Sequence, residues 1–112
     1  MRKIYLSLCS MSLATLLSTV AFGQQTAVDF FNEGVQKSNA KDFTGALQAF
    51  TTAIIMNPEN APSYYNRALA KSSLNDIQGA IADLDLTIDI NSQDANAYLY
   101  RGVNRLKIED FR

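Results

Sequence analysis

The sequence contains no histidine, no tryptophan and a single cysteine, Cys9. Without His and with one Cys, neither the common zinc sites nor a Ser-His or Cys-His catalytic pair can be assembled. An excess of one charge is missing too: 10 basic residues stand against 11 acidic ones, for a net charge of −1. With no basic excess, attachment to a phosphate backbone lacks its main driving force, so nucleic acid is not an expected partner. Five Gly and two Pro in 112 residues exclude a low-complexity or collagen-like chain. One domain is expected at this length, and a barrel enzyme of about 250 residues is out of reach.

What is present begins with a segment unlike the rest. Arg2 and Lys3 precede an uncharged run of 19 residues, Ile4 to Phe22, and Ala21-Phe22-Gly23 then places small residues where a signal peptidase reads them. Residues 1–23 are therefore expected to be a secretory signal peptide, cleaved after Gly23, with 24–26 as a short mature N-terminus. A membrane-spanning helix is the alternative, since about 20 apolar residues cross a bilayer. Ser7, Ser10, Ser12, Ser18, Thr15 and Thr19 interrupt the run and favour cleavage. Lipid attachment at Cys9 is disfavoured by the bulky Leu8 before it. Removing 23 of the 112 residues leaves 89, with 8 basic and 11 acidic side chains and no cysteine. Such a product is expected in the periplasm or outside the cell, without a membrane span, held by packing and not by disulfides.

The body repeats with a period of 34. Phe30, Tyr64 and Tyr98 are in register, as are Ala27, Ala61 and Ala95. Gly34, Ala68 and Gly102 keep a small residue, and Lys37, Lys71 and Arg105 keep a cation. Asp42, Asp76 and Asp110 each precede a large apolar residue. Each copy divides into two helical patterns. Val28, Phe31 and Val35 form one stripe, and Phe43, Leu47, Phe50 and Ile54 another, at spacings of three and four. The second copy repeats this with Tyr64, Tyr65, Ala68 and Leu69, then Ile77, Ile81, Leu84 and Ile88. Asp42 and Asp76 stand where N-caps are wanted, and Asn57-Pro58 ends the first copy. Gly34, Ala68 and Gly102 are expected at the crossing of first and second helices, facing Ala46 and Ala80, because small side chains let helices approach closely.

These positions resemble the tetratricopeptide repeat. Its pattern is matched by Phe30, Gly34, Ala46, Phe50, Ala53 and Pro58 in the first copy and by Tyr64, Ala68, Ala80, Leu84 and Thr87 in the second. Only Tyr98 and Gly102 represent it in the third. Glu33, Arg67 and Arg101 replace the usual Leu, and Lys37, Lys71 and Arg105 the usual Tyr. Ser92 stands in place of the turn proline, which suggests a softer turn. The resemblance implies an all-α fold of antiparallel helix-turn-helix repeats stacked as a right-handed α-solenoid. Repeat 1 spans 27–60, repeat 2 spans 61–94, and 95–112 is a partial third repeat. Because the third lacks a second helix, the sequence is expected to be a piece of a longer protein.

The resemblance also implies a concave groove, lined by first helices, that grips a peptide or partner segment. The positions in register are Phe31, Asn32, Tyr65, Asn66, Leu69, Leu99 and Tyr100. Val35, Leu69 and Val103 have packing against the next repeat as the competing role. A carboxylate clamp, used by some family members, is not expected: its basic positions fall on Phe31, Asn96 and Tyr100, and only Asn66 matches.

Nothing points to catalysis or to a cofactor. Asp83, Asp85 and Asp89 are expected on a solvated outer face, since calcium wants six to eight oxygens and a helix face offers about two. Thr51-Thr52 and Ser72-Ser73 have no base beside them, and no metal site is expected. The expected function is an exported scaffold for protein or peptide binding. The alternative is an accessory region of a longer envelope enzyme or secretion component.

Overall fold

The structure, a computed structural model, describes residues 23–110, which form five helices and no strand. The expected signal peptide lies, except for Gly23, outside the described residues. The helices are α1 (Ala27–Asn39), α2 (Phe43–Met56), α3 (Ala61–Ser73), α4 (Ile77–Ile90) and α5 (Ala95–Asp110). They make two complete helical hairpins and the first helix of a third, an all-α solenoid. Among the described residues, no helix is long and apolar enough to cross a membrane.

The helix boundaries follow from local chemistry. Thr26 opens α1 with a reciprocal cap: its hydroxyl accepts from the Asp29 amide at 3.2 Å, and the Asp29 carboxylate accepts from the Thr26 amide at 2.8 Å. Asp42 and Asp76 cap α2 and α4 as expected, accepting from the Gly45 and Gly79 amides at 3.0 Å each. The two turns inside the repeats follow one path. Lys41 and Asn75 take left-handed backbone angles, φ 62° and 66°. The next amide, of Asp42 or Asp76, then donates back to the Lys37 or Lys71 carbonyl at 2.8 Å.

Both turns between repeats are also alike. The Asn57 and Asn91 side chains accept from the amides two residues on, at 3.3 and 3.2 Å. The Tyr64 hydroxyl donates back to the Pro58 carbonyl at 2.9 Å, and Tyr98 to that of Ser92 at 3.1 Å. The turn at Ser92 thus keeps the hydrogen bonds of its proline-bearing counterpart.

Successive helices pack against one another along the chain. Ala46 and Phe50 of α2 join Ala70 of α3, with Phe31 and Val35 of α1 packed alongside. One repeat on, Ala68, Ala80 and Leu84 join Ala97 of α5, with Tyr65 and Ile88 alongside. Each repeat's core is therefore completed by a small residue from the following first helix.

Gly34 lies at a true crossing. A Cβ there would come within 2.5 Å of the Phe50 ring. Gly102 does not: a Cβ there would meet nothing within 4 Å. Val28, read as part of the first stripe, is 63% exposed, so that stripe begins at Phe31.

Gly34→Leu is expected to lower stability in urea unfolding by about 1–3 kcal/mol through overpacking. Gly102→Ala should raise it by up to about 1 kcal/mol, from helix propensity alone. Equal effects at the two sites would mean that the crossing lies elsewhere.

Candidate functional site

The first helices α1 and α3 enclose an open cleft of about 230 Å³. Val35, Ser38 and Asn39 line it from α1; Asn66, Leu69, Ala70 and Ser73 from α3; and Phe43 from the start of α2. No charged side chain lines it. Valine, leucine and phenylalanine supply apolar walls, while two amides and two hydroxyls supply donors and acceptors. The Asn66 amide nitrogen donates to the Pro62 carbonyl of its own helix at 2.8 Å, which directs its oxygen to other donors.

The sequence-derived groove residues distribute unevenly around this cleft. Asn66 and Leu69 line it together with Val35. Phe31 is half-buried and leans on Phe50, ring centres 5.7 Å apart, so it supports the cleft from the core side. Tyr65 is half-buried against the second core cluster and meets Tyr100 edge-on at 5.9 Å. Burial pushes the Tyr65 phenol above its usual pKa, and the nearby Tyr100 and Asp94 add to the rise. Leu99 and Tyr100 are exposed on α5, and Asn32 is exposed on α1, outside the cleft lining. Val35 packs on the first core cluster as well as lining the cleft, whereas Val103 is exposed and packs on no neighbouring repeat.

Sequence register missed Ser38, Asn39, Phe43 and Ser73. They lie one helical turn beyond Val35 and Leu69, at i+3 and i+4, so the usual helical spacing could have found them. The cleft sits toward the C-terminal halves of α1 and α3.

The expectation of a solvated acidic face fails at Asp83. Its side chain is 2% exposed and lies between α3 and α4. Arg67 Nε and Nη2 donate to its two oxygens at 2.8 and 2.7 Å, and Lys71 Nζ approaches at 3.0 Å. The Asp83 hydrogen bond holds the Arg67 guanidinium above its usual pKa, against the effect of burial, with the charges of Asp83 and Tyr64 adding to it. Arg67 Nη1 also reaches the Thr51 hydroxyl on α2 at 3.4 Å, and the guanidinium lies 5.7 Å from the Tyr64 ring centre. One side chain thus ties α2, α3 and α4. Asp85 pairs with Arg101 of α5 at 2.9 Å, and Asp89 alone of the three acids is exposed and unpaired among the described residues. A smaller buried network joins α3 to α5. The Ser72 hydroxyl donates to Asn104 Oδ1 at 2.9 Å, and Asn104 Nδ2 donates to the Tyr100 carbonyl at 2.8 Å. Among the described residues, no group of three or more His, Cys, Asp or Glu could hold a metal.

A tetratricopeptide repeat model matches residues 49–82. The Arabidopsis OM64 TPR domain is similar at 29% identity and a TM-score of 0.73, over 76% of this chain and 70% of that one. The TPR2B domain of yeast Sti1, in a complex with pHsp70, is similar at 28% identity and a TM-score of 0.72, over 76% of this chain and 68% of that one. The first TPR of Spaghetti (RPAP3), bound to the HSP90 peptide SRMEEVD, shares the fold at 24% identity and a TM-score of 0.74, over 79% of this chain and 70% of that one. No curated protein matches the chain. The family match and these neighbours together support a tetratricopeptide repeat protein.

Asp83→Ala should cost about 3–5 kcal/mol, because it leaves two desolvated cations without their carboxylate. Combining Asp83→Leu with Arg67→Met should recover part of that loss. Urea unfolding of both variants is the check, and a cost below about 1 kcal/mol for Asp83→Ala would place the pair in solvent.

Proposed function

We propose that this chain is an exported scaffold that binds an extended peptide or protein segment along its first helices. The cleft between α1 and α3 carries the reading: it is open, has apolar walls and offers Asn39 and Asn66 at hydrogen-bonding height. An extended backbone presents donors and acceptors at regular intervals, and amides satisfy either kind. The complex of the similar yeast Sti1 domain with pHsp70 supports a binding role for this fold.

The chemistry of the cleft favours an uncharged segment. The register positions where a carboxylate clamp would place cations hold Phe31, Asn96 and Tyr100. Anchoring therefore comes from apolar side chains entering beside Val35, Leu69 and Phe43, with the amides fixing the backbone. Tyr65, Tyr100 and Leu99 continue the same face across α3 and α5. Export is part of the proposal and rests on the pattern of residues 1–23: a basic start, an apolar run and a small-residue exit.

Peptides selected from a random display library on the full chain should be apolar-rich and should not require a free C-terminus. Leu69→Glu should weaken their binding at least about tenfold, since it puts a charge into an apolar wall. Asn66→Ala should weaken it a few-fold with little change in melting temperature. Selected peptides that bind both variants unchanged would overturn the cleft assignment. For export, a phosphatase reporter fused after the chain should be active outside the cytoplasm, and the mature protein should begin at Gln24. A reporter that stays inactive would reject the signal.

A further inference from the structure

Helix α5 reproduces α3 residue by residue but lacks the partner that α4 gives to α3. Tyr64 and Tyr98 make the same hydrogen bond back to the preceding turn. Arg67 and Arg101 stack on those rings alike, at 5.7 and 5.3 Å. Coverage is where they differ. Tyr64 is 9% exposed and Ala68 1%, whereas Tyr98 is 44% exposed and Gly102 is open.

The charges differ in the same way. Arg67 and Lys71 converge on the Asp83 carboxylate, which α4 delivers. Arg101 and Arg105 hold the same two repeat positions on α5. Arg101 reaches only Asp85, the register counterpart of Thr51, and Arg105 has no carboxylate partner among the described residues. The α5 face thus presents an aromatic ring, a small-residue notch and two cations arranged for one acid.

We propose that this face binds an amphipathic helix of a partner protein that carries the chemistry of α4. That helix has a small residue at the notch, an acid three residues on and a large apolar residue next to it, as in Ala80, Asp83 and Leu84. Charge complementarity selects this occupant. A second copy of α5 would bring Arg101, Arg105 and Lys107 against their own kind, and like charges at close range repel. The surface lies on a different side of the array from the cleft, so the proposal stands apart from the peptide-binding reading.

The probe is a synthetic peptide of the α4 sequence, residues 76–91. It is cross-linked between positions 78 and 82, which are exposed in α4, because a free helix of this length is marginal in water. Titrated into the isotope-labelled full chain, it should shift the amide signals of Tyr98, Arg101 and Gly102. A peptide with Asn in place of the acid should bind at least about tenfold more weakly. Gly102→Leu should abolish binding while leaving the melting temperature unchanged or raised, since a Cβ there meets nothing within 4 Å. Equal binding of the two peptides, binding that survives Gly102→Leu, shifts confined to other helices, or dimerisation through α5 without peptide would each overturn the proposal.

Discussion

Two helices can lie close together only where at least one of them is nearly bare. In this chain that condition is met at Gly34, where the Phe50 ring occupies the space a side chain would take. One repeat later Ala68 plays the part, with Ala80 and Leu84 fully buried against it. The close approach fixes how the helices of each hairpin lie together and thereby what the next hairpin meets. Ala70 and Ala97, the residues that complete the two cores, come from the following first helix. The cleft between α1 and α3 follows from the same stacking, because its lining residues lie on the first helices that the stacking places side by side.

The second organising contact is ionic. Arg67 is held by a buried acid on one side and a threonine on the other, so it reads two second helices at once. A buried ion pair adds little net stability compared with apolar packing. Its geometry is demanding, however, and here it aligns repeat 1 with repeat 2 at one register. In repeat 1 the equivalent position is Glu33, which pairs only with Lys37 on its own helix, both side chains more than a third exposed. The alignment is therefore specified between repeats and not within the first.

The repeat period, the helix count, the capping acids and the Asn57 stop were all legible in the sequence, because each rests on local spacing and turn chemistry. The buried face of the second helices was legible only in part. Apolar spacing in α4 picks out Ile77, Ile81, Leu84 and Ile88, yet Ala80, Asp83, Leu84 and Thr87 form the most deeply buried line. Large residues can reach the core from the flanks of a helix, while the line of closest approach needs small or paired ones. A reading that weighs hydrophobicity alone rotates the helix and sends Asp83 to solvent. The same bias placed Val28 in a stripe. Residue type could not reveal that the cleft sits a turn beyond the register positions, since serine and asparagine near a helix end read as ordinary surface.

Lys41 and Asn75 hold equivalent places in the hairpin turns with nearly identical angles, but they do not tolerate them equally. Asparagine enters the left-handed region several times more readily than most side chains, and lysine gains no such relief. The first hairpin therefore carries backbone strain that the second avoids, and it lacks the carboxylate lock as well. In an array where each unit touches only its neighbours, such a difference gives the molecule a folding polarity. The central hairpin nucleates, the leading one closes onto it last, and on denaturation the leading one is first to let go.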